Sequence, residues 1–168
     1  LRIEVIYHVP QEGAILAAMH AAHPYEEVAY DILYLANAHQ GIGAGVLGEL
    51  PKALVQREFL QLLKEAFGLQ AIRHTALLDR PISIVALCGG SGAFLIGKAK
   101  AAGADAYVTA DVKYHEFFEA DGRLLLADIG HYGSEQFTMH LIRRRLGEVF
   151  PTFATRLTET VTDPIHHY

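Results

Sequence analysis

Hydrophobic positions recur with two different periods along the chain, and these periods predict where strands and helices lie. Near the start, apolar side chains alternate from Arg2 to Val9, which is the spacing of a half-buried strand, and a second strand is predicted at Val28 to Leu35. Between these segments, Gln11 to Ala22 has apolar residues at helical spacing, and His23-Pro24 ends that helix. The pattern therefore predicts one strand-helix-strand unit at the start of the chain.

After a segment rich in glycine at Ala36 to Gly45, predicted strands alternate with predicted helices. The predicted strands are Val46 to Leu50, Ile82 to Cys88, Ala106 to Thr109, Leu124 to Ile129 and Thr152 to Leu157. The predicted helices are Val55 to Phe67 with Gly68 as its cap, Ser91 to Ala102, Lys113 to Glu119 and Ser134 to Leu146. This alternation is typical of an α/β domain of three layers, a largely parallel sheet flanked by helices. We place that domain at residues 45–168 and a smaller module at residues 1–40.

The amino-acid composition argues against nucleic acids and membranes as partners. The chain has 168 residues, of which 51% are hydrophobic, enough for one good core or two small domains. Acidic residues number 19 and basic residues 14, without a basic stripe, so we expect no nucleic-acid partner. No run reaches the about 18 apolar residues that span a bilayer, so we expect no membrane partner either. The single cysteine, Cys88, fits a reducing compartment, and we expect a cytoplasmic protein.

The leading candidate for chemistry is His131, which follows the predicted buried strand at Leu124 to Ile129, with Glu135 four residues later. Residues four apart share one face of a helix, so the imidazole and the carboxylate would converge at the mouth of a sheet. This is half of a metal site. Taken by spacing alone, such a pair is more often a hydrogen bond or a weak ion pair. Asp128 could orient His131 if the strand bends.

Lys113 and His115 follow another predicted strand exit, just after Asp111. We interpret both as candidate catalytic residues that face substrate, Lys113 for a phosphate or carboxylate and His115 for proton transfer near neutral pH. The alternative is that His115 only packs. For Asp111 we favour a role as the cap of the helix that follows.

The turn Gly89 to Ala93 joins a predicted strand to a predicted helix. Its amides could hold a phosphate, and Ser91 within it could be the nucleophile of an esterase elbow with His131. Close packing of helix on sheet explains the glycines more simply, and Cys88 fits the core as a small residue. A further polar cluster, which is a candidate ligand site or a solvated edge, comprises His23, Glu26, Glu27 and Asp31.

Three separated segments, Ala86 to Gly92, Thr109 to His115 and Asp128 to Glu135, closely resemble the carboxyl-terminal half of the NIF-three-like proteins. These proteins are also called GTP cyclohydrolase I type 2 homologues or dinuclear metal centre proteins. The leading segment with Ala22 to Asp31 resembles part of the PII-like or CutA-like, ferredoxin-like domain that some members carry as an insert. The resemblance covers nearly the whole chain.

The resemblance implies two divalent metal ions, zinc, manganese or iron, with His131 and Glu135 among their ligands and Glu135 bridging them. The family's other ligands lie in its first half, which has no counterpart here, and His166-His167 do not match that motif. A divalent site normally needs about four to six donors. The chain is then a fragment of a longer polypeptide, which we favour, or a partner completes the site, or the site has degenerated.

The functional expectation follows from this resemblance. The metals would lower the pKa of a bound water and support hydrolysis of a nucleotide or a related phosphorylated heterocycle. We also expect a homo-oligomer, a hexamer by family resemblance. The competing expectation is a non-catalytic scaffold or regulatory ligand-binding protein, in which the metal stabilises the assembly.

Overall fold

The computed structural model describes residues 2–37 and 41–167, and the chain forms two compact units that divide after residue 40. The smaller unit contains one α-helix, α1 (Glu12–Ala22), preceded by a 3-10 turn at Val9–Gln11. This confirms the predicted helix. The two predicted strands are wrong, because residues 2–8 and 28–37 have no regular secondary structure. A strand needs a hydrogen-bonded neighbour, and alternation of side chains alone does not supply one.

The larger unit is built on a mixed sheet of five strands, which confirms the α/β class. In chain order the strands are β1 (Val46–Leu54), β2 (Arg73–His74), β3 (Ile82–Ser91), β4 (Ala106–Ala110) and β5 (Leu125–Asp128). Their order across the sheet is β1-β3-β4-β5-β2. The three central strands are parallel, and β1 and β2 pair antiparallel at the two edges.

Helices cover both faces of this sheet, because alternate residues of each central strand point to opposite sides. On one face, α2 (Gln56–Phe67) buries Phe59 and Leu63 against a set that includes Val108 of β4. The predicted cap Gly68 ends α2 with a φ of 65°, a left-handed conformation that favours glycine.

On the other face, Tyr107 of β4 belongs to a second buried cluster. That cluster receives Ile96 and Ala99 from the short helix α3 (Ile96–Ala101) and Ala120 from a 3-10 helix at Tyr114–Ala120. Every residue of β4 and β5 is therefore buried, which explains their nearly continuous apolar sequences.

Several predicted boundaries move. The helix predicted from Ser91 begins later, because β3 continues through Ser91 and a 3-10 turn at Ala93–Leu95 precedes α3. The last predicted helix is two helices, α4 (His131–Glu135) and α5 (Thr138–Val149). The strand predicted at Thr152 to Leu157 is wrong, since this segment has no regular structure and pairs with no strand of the described sheet. Within residues 2–37 and 41–167, no helix is long and apolar enough to cross a membrane.

Candidate functional site

The candidate site lies where the three parallel strands end together. Gly89 and Gly90 are near the end of β3, Asp111 directly follows β4, and His131 opens α4 three residues after the end of β5. Gly130 makes the sharp turn from β5 into α4 with a φ of 78°. Parallel strands bring their carboxyl ends to one edge of a sheet, and ligands of α/β proteins collect there.

His131 lies between two carboxylates. Its Nδ1 atom is 2.7 Å from Oδ2 of Asp111, and its Nε2 atom is 3.1 Å from Oε2 of Glu135. The three side chains are about half exposed, at 52% for His131, 47% for Asp111 and 49% for Glu135. The structure thus brings together the predicted pair and adds Asp111 as a third member.

Asp111, rather than Asp128, contacts the imidazole. Its backbone is left-handed, with a φ of 56°, which aspartate tolerates better than most residues. Our interpretation of Asp111 as a helix cap is wrong, since the 3-10 helix that follows begins after Lys113. There the carboxylate of Glu116 accepts the Lys113 N–H at 2.7 Å.

Asp128 instead stabilises the backbone beneath the site. Its buried carboxylate accepts hydrogen bonds from the N–H of Val112 at 3.0 Å and from the N–H of Gly130 at 2.9 Å. It also pairs with the guanidinium of Arg73, on the edge strand β2, which donates to the Val112 carbonyl as well. One carboxylate therefore ties together the loop that carries Asp111 and the turn that carries His131. Arg73 was not singled out from the sequence, because a strand of two residues leaves no periodic signal.

The glycine turn at the end of β3 makes room for Glu135. A Cβ atom built on Gly90 would lie 2.3 Å from Oε1 of Glu135 and 3.4 Å from Cε1 of His131, so a larger residue would displace the Glu135 carboxylate. Gly90 also has a φ of 62°. Its N–H donates to Oγ of Ser134 at 2.9 Å, and that hydroxyl donates to the His131 carbonyl at 2.8 Å.

These contacts argue against both functions considered for the turn, a phosphate site and an esterase nucleophile at Ser91. The Gly90 N–H, which could have held a phosphate, already has Ser134 as its acceptor. For an esterase, Ser91 should hydrogen-bond to His131, but both imidazole nitrogens face carboxylates and no such bond exists among the described residues. Cys88 is buried in the core, as its small apolar character suggested.

Lys113 directly precedes the 3-10 helix Tyr114–Ala120, His115 lies in its first turn, and both residues are exposed. Within the described ranges, no hydrogen bond or ion pair joins either side chain to His131 or Glu135. Their catalytic roles stay predictions. The same holds for the polar cluster of the smaller unit, where Nδ1 of His23 accepts the Tyr25 N–H at 3.2 Å.

The donor set at the site fits half of a divalent-metal centre. A metal-ligating histidine usually has its second ring nitrogen bonded to a carboxylate or carbonyl, and Asp111 occupies that position on His131. The free side of the ring faces Glu135, a second donor. Nowhere in residues 2–37 and 41–167 do three or more histidine, cysteine or acidic side chains form a group that could hold a metal.

The pKa of His131 is raised above its ordinary value of 6.5, first by the hydrogen bond to Asp111 and then by the charges of Asp111 and Glu135. A raised pKa means that these pairs stabilise the fold fully below pH 6.5 and lose that effect as pH rises through the folded-state pKa. We predict that Asp111→Asn lowers the pKa of His131, measured by NMR titration of the metal-free protein. Glu148→Gln, at an exposed glutamate of α5, should leave it unchanged. An unchanged pKa in Asp111→Asn would contradict the geometry.

Comparisons with known proteins show which family this chain resembles. A family model described as Duf34/NIF3 (NGG1p interacting factor 3) matches residues 7–164. A Mycobacterium tuberculosis protein named GTP cyclohydrolase 1 type 2 homolog is 36% identical over 171 residues, covering 97% of this chain and 44% of its own length. A Bacillus subtilis protein of the same name is 34% identical over 147 residues, covering 87% of this chain and 39% of its own length.

Solved structures share the fold. The crystal structure of a Bacillus cereus protein related to NIF3 has a TM-score of 0.73 and 29% identity, covering 95% of this chain and 45% of that chain. A Staphylococcus aureus protein has a TM-score of 0.75 with 24% identity, which shows the fold alone. The chain spans less than half the length of the curated relatives described above.

Proposed function

Because the chain belongs to the Duf34/NIF3 family, we propose that its larger unit supplies His131 and Glu135 to a centre of two divalent metal ions. We propose further that this centre hydrolyses a nucleotide or a related phosphorylated heterocycle. The name that the curated relatives carry, GTP cyclohydrolase 1 type 2 homolog, supports this substrate class.

One observation carries the proposal: the His131 ring is held at Nδ1 by Asp111 while its Nε2 faces the carboxylate of Glu135. In the neutral ring, Asp111 favours the tautomer with its proton at Nδ1, and the Nε2 lone pair is then available to a cation. The 3.1 Å between Nε2 and Oε2 of Glu135 brings two donors to one point, and half exposure leaves that point open to an ion.

Two donors do not complete a divalent site, so we propose that the remaining ligands come from a longer polypeptide or from a partner. Zinc, manganese and iron all bind an imidazole nitrogen together with a carboxylate oxygen, so this ligand pair suits any of the three. When bound, such ions act as Lewis acids that activate water for hydrolysis.

Two exposed side chains, Lys113 and His115, would act on the substrate. Lys113 binds a phosphate or carboxylate of the substrate, and His115 transfers a proton near neutral pH. Both are exposed, and along the chain they follow Asp111, which contacts His131, by two and four residues. The buried Asp128 acts only through the backbone that it holds.

A second candidate function is a non-catalytic scaffold, in which metal stabilises a homo-oligomer such as a hexamer. Exposed aromatic side chains in the 3-10 helix Tyr114–Ala120 favour it. Tyr114 is 80% exposed and Phe118 is 68% exposed, and their rings pack edge to face at 5.4 Å. Aromatic groups of this size in contact with solvent often mark a surface that a partner covers.

Turnover and assembly separate the two functions. We expect metal-loaded full-length protein to hydrolyse GTP or a related nucleotide, and Glu135→Gln to reduce turnover at least about a hundredfold while native mass spectrometry shows the same oligomer. Glu148→Gln, an exposed glutamate paired with Arg145, is the matched control and should keep full turnover. If chelation dissociates the oligomer and no nucleotide is hydrolysed, the scaffold function is correct.

A further inference from the structure

A cavity of about 620 Å³ lies at the other end of the sheet from His131. Its lining comes from the loops that enter the three parallel strands: Arg80 precedes β3, Gly103 precedes β4 and Arg123 precedes β5. Across the length of β4 alone, five residues at about 3.3 Å each separate the two ends of the sheet. This cavity is therefore a different place from the candidate metal centre.

The cavity is basic in a chain whose net charge is -5. Three cations line it, Arg80, Lys100 and Arg123, against one carboxylate, Asp79. Because anions collect where positive charge is concentrated in a concave surface, the lining favours a negatively charged ligand.

Backbone carbonyls, rather than carboxylates, hold two of these cations in place. The Lys100 ammonium donates to the Glu119 carbonyl, and the Arg80 guanidinium donates to the Arg123 carbonyl. A carbonyl fixes the position of a cation without neutralising its charge. Among the described residues, neither Lys100 nor Arg123 has a carboxylate within ion-pair distance.

The nearest acid to Arg80 is Asp105, at 4.0 Å from its guanidinium. Asp105 also holds the backbone of β3, because its second oxygen accepts hydrogen bonds from the N–H groups of Ser83 and Ile84 at 3.0 and 2.9 Å. The positive charge of Arg80 is thus only partly offset. It remains available to a ligand in the cavity.

We propose that this basic cavity binds the phosphate group of a small soluble phosphorylated ligand. Guanidinium and ammonium groups are the usual phosphate donors, and arginine presents paired N–H groups that match phosphate oxygens. The volume is within the range of small-molecule sites. Gly103 and Gly122, which have no side chains and φ values of 76° and 60°, let a ligand approach the backbone of the lining. This inference does not depend on the proposed hydrolysis.

The test titrates pyrophosphate into the full-length protein by calorimetry, with Arg123→Gln as the main variant. The Arg123 side chain makes no hydrogen bond or ion pair among the described residues, so its loss should not affect folding. Affinity should fall roughly tenfold, as expected for one charged contact. Arg123→Lys, which keeps the charge but not the paired N–H groups, should lose less.

Lys98→Gln is the matched control, because it removes the same charge from α3 two residues from Lys100, on another face of the helix. Its affinity for pyrophosphate, measured in the metal-free protein, should equal that of the parent protein. Equal losses in Lys98→Gln and Arg123→Gln would overturn the proposal, since the attraction would then be unspecific. Loss in Glu135→Gln alone would overturn it by placing pyrophosphate at the metal centre. The proposal would also be overturned if the protein bound anionic phospholipid vesicles through Arg123 but did not bind pyrophosphate in solution.

Discussion

His131→Ala is expected to weaken the binding of divalent metal at least about a hundredfold in the full-length protein, because changes even beyond the direct ligands cost about 10- to 100-fold. The variant removes the imidazole whose Nε2 faces Glu135, and Asp111 loses the ring that it orients. One remaining carboxylate would have to hold the ion on this side of the centre. Competition with a chromophoric chelator, for zinc, manganese and iron in turn, measures the affinity.

The control for this loss is His140→Ala, at an exposed histidine of α5. Its metal affinity should match that of the parent protein, and the unfolding temperature of both metal-free variants should change little because His131 and His140 lie at the surface. Parent-like metal affinity in His131→Ala would end the assignment of this residue as a ligand. The contact between His131 and Glu135 would then be an ordinary ion pair.

The strand ends were the part of the site that the sequence could predict. A buried apolar run that stops at a polar residue marks the carboxyl end of a parallel strand, and this rule located Asp111 and His131. The spacing of four residues then placed Glu135 on the same face of α4, which the 3.1 Å contact confirms. These inferences succeeded because each depends on local geometry.

The choice between Asp111 and Asp128 could not be made in the same way. Along the chain Asp128 is three residues from His131 and Asp111 is 20 residues away, yet Asp111 makes the contact. Pairing of β4 with β5 brings the two strand ends together, and the left-handed backbone at Asp111 accompanies its contact with the ring. Such proximity depends on the sheet register, which a single sequence does not reveal.

The two wrong strand predictions near the start of the chain have a related cause. Strands were predicted at residues 2–9 and 28–35, but neither segment pairs with a strand of the described sheet. In contrast, the continuous apolar runs of β3, β4 and β5 were identified correctly. Those strands are buried on both faces, so their sequences record the packing as well as the periodicity.

Asp128→Asn is expected to destabilise the metal-free protein by about 3 kcal/mol, because its amide group would present N–H atoms where the carboxylate now accepts them. Oδ1 of Asp128 accepts from Gly130, and Oδ2 accepts from Val112 and from Arg73. Either orientation of the amide leaves one buried N–H without an acceptor. Arg73 is 62% exposed and can return to water, so the backbone donors account for most of the cost.

Asp111→Asn makes the same chemical change at the exposed end of the neighbouring strand, and its effect should stay within about 0.5 kcal/mol. Urea denaturation of both variants at one pH measures the difference. The contrast follows from burial, since Asp111 is 47% exposed and water can replace its partner, whereas the side chain of Asp128 is 3% exposed. Equal, small effects would show that the Asp128 contacts do not hold the two loops. In that case the convergence of Asp111 and His131 would have to come from the sheet alone.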